Sequence, residues 1–184
     1  MKKLQLLLFV FVSFWSCTVI KIETEFTLKS SYENVIKNKE YIVVFEEKNF
    51  CNYLFNDTIY ALKGSELKQC ISTTSKAIVY IWVPTCKNES CLSVGVVQEY
   101  CTKNGYDLFV VCTRYDTEII KVQRKPLRPF FSINHLHHDS NLFGKSPASR
   151  FQLELIGREI NEEHFLEFKN VDYIGNREID KLIQ

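Results

Sequence analysis

Residues Ala77-Ile-Val-Tyr-Ile-Trp-Val83 form an unbroken apolar and aromatic run, closed by Pro84. β-Branched and aromatic side chains favour extended backbone, and a run without polar alternation has no face to leave in water. The run is therefore expected to be a strand buried on both faces, within a parallel or mixed sheet. Such a strand has to be covered above and below, which restricts the chain to layered α/β architectures.

The neighbouring segments fit that frame. Tyr41–Phe45 and, more weakly, Asp57–Ala61 read as strands, and Gly64–Ile71 as a short helix or turn. From Ser90 to Lys103, apolar side chains at Cys91, Val94, Val97 and Cys101 recur every three or four residues, which predicts an amphipathic helix. Asn104-Gly105 supplies its stop, and Tyr106–Cys112 is a second buried strand. The strand–helix–strand unit should cross over right-handed and leave the Ala77 and Tyr106 strands parallel. Further along, Thr117–Val122 is a helix candidate, and Pro126 and Pro129 break the regular structure beyond it. Phe151, Leu153 and Leu155 alternate with polar residues, so Arg150–Ile156 is read as a strand that turns at Gly157 into a hairpin return at Glu159-Ile160. Ile179, Leu182 and Ile183 share one side of a closing helix over Asn176–Gln184. The expected fold class is an α/β sandwich: a central mixed β-sheet flanked by helices.

The first residues have a different character. Lys2 and Lys3 precede an apolar stretch from Leu4 through Val12, and small or polar residues at Ser13 and Ser16 lead to Cys17. This is the layout of a secretory signal. The cysteine after a small residue resembles the bacterial lipobox, which implies lipidation of Cys17 with acyl chains such as palmitate and a mature form beginning there. Each buried acyl methylene contributes about 0.8 kcal/mol, so two or three chains hold the protein at a membrane. The competing reading is an uncleaved anchor, since Leu4–Ile20 is marginally long enough to span a bilayer. Either way the domain faces away from the cytoplasm. The expected location is the cell envelope, periplasm-facing. The division is residues 1–16 as signal, 17–56 as lipidated N-terminus and extension, and 57–184 as the folded domain. A formal net charge of +1 with no basic run argues against nucleic acid as a partner.

Seven cysteines occur. With Cys17 assigned to lipid, Cys51, Cys70, Cys86, Cys91, Cys101 and Cys112 meet an oxidising compartment. Cys101 follows the helical stripe and Cys112 ends a strand, so both read as core. Cys51 and Cys70 are candidates for stapling the N-terminal extension to the domain. Cys86 lies in the turn leaving the strongest strand, where unpaired amides and the dipole at a helix start stabilise a thiolate. Lys87 adds positive charge and Glu89 partly opposes it.

Here the sequence resembles the thioredoxin-like superfamily, particularly its exported, membrane-anchored thiol–disulfide oxidoreductases. Ile81-Trp82 followed by Cys86 keeps that family's spacing from a Phe-Trp strand end to the attacking cysteine. Tyr60-Ala-Leu-Lys-Gly64 is similar to the segment before its core strand, and Phe151-Gln-Leu-Glu-Leu-Ile-Gly157 to its late hairpin. The resemblance implies a thioredoxin-like domain over residues 57–184, with Cys86 attacking and Cys91 resolving disulfides. It also implies Trp82 beside the substrate and a substrate-docking cis-proline, for which Pro147 is the candidate. The partners implied are thiols and disulfides of exported proteins, with no cofactor and no metal. One departure stands out: the second cysteine lies five residues after the first rather than three. In a regular helix such residues are about 7.5 Å apart along the axis and turned about 140°, beyond disulfide reach.

Two other functions remain open. A Cys-x4-Cys pair after a proline also resembles one peroxiredoxin subgroup, although Val83 stands where those enzymes keep a threonine. The missing Cys-x-x-Cys equally suits a binding or scaffold lipoprotein that kept the fold without the chemistry. His135, His137, His138 and Asp139 are read as a polar surface loop rather than a metal site, and Arg150 as an ordinary exposed strand arginine.

Overall fold

The computed structural model describes residues 42–44, 50–55, 58–84, 92–113, 126–138, 146–158 and 164–176. The apolar run becomes β3, Lys76–Trp82, buried from Ala77 onward. It sits inside a seven-stranded mixed sheet. The other strands are β1 (Ile42–Val44), β2 (Ile59–Leu62), β4 (Asp107–Cys112), β5 (Phe130–Ile133), β6 (Phe165–Lys169) and β7 (Asp172–Asn176). Their order is β1-β2-β5-β4-β3-β6-β7. The first five in that order run parallel, whereas β6 is antiparallel to β3 and β7 to β6.

Period-two alternation divides β3 between two cores. Ala77, Val79 and Ile81 pack with Leu67, Cys70 and Ile71 of α1 (Gly64–Ile71) and with Phe151 and Leu155 further along the chain. Ile78, Tyr80 and Trp82 pack on the opposite face with Val94, Val97 and Cys101 of α2 (Val94–Asn104). Both faces are covered, as the unbroken run requires. The β3–α2–β4 unit brings β3 and β4 together in parallel, with Ala77 opposite Asp107 and Trp82 opposite Cys112.

The C-terminal half departs from the sequence reading. Arg150–Ile156 is not a strand but part of a helix; α3 is the short helix His135–His138, and α4 spans Pro147–Ile156. The Ser146 hydroxyl accepts from the Ser149 amide at 3.1 Å, Pro147 occupies the first turn, and Gly157 ends the helix at φ 83°. Capping serine, early proline and terminal glycine together specify a helix more strongly than three alternating apolar residues specify a strand. Phe151 and Leu155, four apart, form the buried stripe, and each contributes about 2 kcal/mol by burial.

The late hairpin is β6–β7 instead. It turns through Asn170 and Val171, at φ 49° and 71°. The expected return at Glu159-Ile160 lies outside the described residues, as do Thr117–Val122 and all of the expected closing helix after Asn176. Strand β5 lies in a stretch that the sequence reading treats as broken by prolines. Pro129 immediately precedes it, where a residue without an amide proton costs the ladder nothing. Helix α2 begins at Val94 with Ser93 as its cap, not at Ser90.

Candidate functional site

Strand β3 ends at Trp82, and the chain continues through Val83 and Pro84. The strand end is fixed from both sides. The Thr113 amide donates to the Trp82 carbonyl at 3.1 Å, and the Ile81 amide donates to the His164 carbonyl at 2.8 Å. The Trp82 side chain is only 4% exposed, with its ring 5.8 Å from that of Phe130. Trp82 therefore holds the strand end from within the core.

The far end of the β3–α2 connection is fixed to the same strand. The Tyr80 hydroxyl donates to the Leu92 carbonyl at 2.7 Å, and its ring stacks on Phe165 at 4.5 Å. Burial, with a smaller contribution from Cys112, raises the Tyr80 hydroxyl well above its ordinary range, so it stays a neutral donor. The stretch between Pro84 and Leu92 thus leaves from and returns to the carboxyl end of β3. In open parallel sheets that edge is where ligands and chemistry are placed.

Cys86 and Cys91 belong to this stretch and lie outside the described residues, as does Cys17. Both precede the Ser93 cap, so the spacing of residues five apart within α2 does not govern whether they pair. This corrects the expectation that Cys91 shares the apolar face of that helix.

The other four cysteines are placed. Cys51 and Cys70 form a disulfide, with Cα atoms 4.8 Å apart, that ties the 3-10 turn Phe50–Asn52 to α1. Cys101 and Cys112 are free and fully buried. Burial first, and Asp107 second, push the Cys101 thiol up to about 12. Burial alone raises Cys112. The thiolate is the reactive form, so both are inert near neutral pH.

Pro147 does not flank a late strand. It opens α4 through a trans bond, on the face occupied by α1. The residue that immediately precedes β6, opposite the end of β3, is His164, which the sequence reading does not single out. Nothing local marks it, because the alternation at Arg150–Ile156 points to a hairpin earlier in the chain.

His135–His138 of the histidine-rich segment form α3, directly after β5, with His137 exposed as expected of a surface segment; Asp139 lies outside the described residues. His135 is buried, and the His137 Nε2 lies 2.8 Å from Glu154 of α4. The Asn134 carboxamide oxygen accepts from the His137 amide at 3.1 Å. Arg150 is half-buried in α4. Among the described residues no group of three or more His, Cys, Asp or Glu side chains is arranged to hold a metal ion. No helix among them is long and apolar enough to cross a membrane.

Comparison with protein-family models, curated proteins and solved structures returned no significant match. Function has to be read from the chain's own geometry.

Proposed function

We propose that this chain is an exported, membrane-anchored thiol–disulfide exchange protein of the thioredoxin-like type, with Cys86 as attacking and Cys91 as resolving cysteine. One observation carries the reading. Of the six cysteines other than Cys17, two are joined to each other and two are sealed in the core with raised thiol pKa values. The remaining pair falls in a connection held at both ends to the carboxyl edge of β3. The parallel β3–α2–β4 unit, the antiparallel β6–β7 hairpin beside it and helices on both faces support the thioredoxin-like comparison. The Cys51–Cys70 bond supports an oxidising compartment, and with it the exported, Cys17-lipidated form.

The exchange runs in two displacements. The Cys86 thiolate attacks one sulfur of a partner disulfide, forming a mixed disulfide and releasing the partner's other sulfur as a thiolate. The Cys91 thiolate then attacks the Cys86 sulfur and releases the second partner thiolate. The partner disulfide is reduced to a dithiol and Cys86–Cys91 is oxidised; with an oxidised pair and a dithiol partner the same steps run backward.

Trapping tests this. Cys91→Ser should accumulate a mixed disulfide between Cys86 and a disulfide-containing test peptide, and Cys86→Ser should accumulate none. No trapped species in either variant would favour a scaffold role, and turnover of hydrogen peroxide would favour the peroxidase. Acyl labelling that is lost in Cys17→Ala checks the anchor.

A further inference from the structure

We propose that residues 50–55 form a redox-set strap: they stay closed across the sheet while Cys51–Cys70 is a disulfide, and a dithiol that reduces this bond releases them. The proposal does not depend on the exchange reading of Cys86 and Cys91.

The strap reaches both faces of the sheet. Cys51 and Tyr53 belong to the core on the α1 side, with the Tyr53 ring 5.8 Å from that of Tyr60. Phe55 packs instead against the core on the α2 side, edge-on to Phe130 with ring centroids 6.2 Å apart. Between these inward residues Asn52 and Leu54 are exposed, Leu54 at 79%.

Its attachments differ in kind. Cys51 is bonded covalently to Cys70 of α1. The Cys51 carbonyl accepts from the Arg128 guanidinium, which pairs with Asp107 at 2.8 Å and lies 4.8 Å over the Phe109 ring. The Phe55 amide donates to the Leu127 carbonyl at 2.9 Å. A net hydrogen bond or a ring contact is of the same size as the entropy lost in ordering a residue or two. The non-covalent contacts of residues 50–55 therefore roughly cancel the cost of ordering them. The disulfide tips that balance, because it keeps the strap beside Arg128, Leu127 and Phe130 at high effective concentration.

Cys51 is 8% exposed and Cys70 is 0% exposed, so a reagent meets the Cys51 side of the bond first. A thiolate of the dithiol attacks the Cys51 sulfur, the bond to Cys70 breaks, and Cys70 leaves as a thiolate that takes up a proton. The second thiolate of the dithiol then displaces Cys51 from the mixed disulfide. The reagent ends as a cyclic disulfide and the protein as two thiols.

Hydrogen exchange of the Phe55 amide, read on the full chain before and after treatment with dithiothreitol, tests the strap. After treatment it should exchange on the order of 100-fold faster, while the amides of β3 keep their protection. The Cys51→Ser, Cys70→Ser double variant should show the fast rate without reagent and no further change with it. That variant keeps every other cysteine, so this result assigns the effect to Cys51–Cys70. Arg128→Gln with the bond intact should change the Phe55 rate less than reduction does; a larger change would place the hold in Arg128 and overturn the proposal. A Phe55 rate unchanged by reduction would overturn it too, leaving the bond a static staple. Protection lost equally in β3, or a bond that resists the dithiol until the protein unfolds, would also contradict a strap set by redox state.

Discussion

A Cβ on Gly64 would lie 2.2 Å from the Phe151 carbonyl oxygen and 2.8 Å from both Glu154 Cβ and the Leu155 amide nitrogen. All three belong to α4, and two are backbone atoms that cannot swing aside. Gly64→Ala should therefore force α1 and α4 apart and lower stability by roughly 2–3 kcal/mol, read from the urea midpoint. A midpoint within error of wild type would mean the helices do not cross that closely. The buried thiols make a separate prediction. An unfolded cysteine titrates near 8.5, whereas Cys101 in the fold is raised to about 12. A raised folded value leaves its stabilising contribution intact below about pH 8.5 and removes it as pH climbs toward 12. Stability should fall by about 1.4 kcal/mol per pH unit per buried thiol over that interval. Urea melts at pH 8, 9 and 10 should show the slope, and Cys101→Ala should reduce it. An equal slope in that variant would assign the effect to other groups.

Among the elements, the Cys51–Cys70 bond spans 19 residues and joins the turn before β2 to α1. Closing a loop of that size stabilises by about 3 kcal/mol through the unfolded chain, so the Cys51→Ala, Cys70→Ala double variant should lose about that much. Tyr80→Phe removes the donor to the Leu92 carbonyl. It should cost about 1–2 kcal/mol and, by loosening one end of the connection, slow exchange more than it shifts the melt. An exchange rate unchanged beside a lowered melt would make that hydrogen bond structural alone. These elements also show what was legible in the sequence. Strands β3 and β4 and the C-terminal end of α2 follow from local signals that agree: an unbroken apolar run, a three-to-four spacing and an Asn-Gly stop; Gly64–Ile71, read as a short helix or turn, is the helix α1. Arg150–Ile156 carries two conflicting signals, and the caps outweigh the alternation. Strand β5 is four residues long and comes after two prolines, so it has too little pattern of its own. The β3 partner His164 is hidden for a related reason, since only the register of β6 brings it opposite Ile81.

At the scale of the molecule, the sheet sorts the cysteines into different chemical fates. One face seals Cys70 into a disulfide beneath α1, and the other buries Cys101 and Cys112 around α2. Cys86 and Cys91, the pair proposed for exchange, fall by sequence in the connection that leaves the carboxyl end of β3. The thiol pKa of Cys86, taken from the pH dependence of its alkylation in the reduced full-length protein, tests this most directly. Cys101 and Cys112 serve as internal controls that should stay unlabelled until the protein unfolds. The expected Cys86 pKa is at or below about 7.5, with alkylation blocked once the pair is oxidised. A value near 8.5 or above, with no exchange against a model dithiol, would contradict the exchange role.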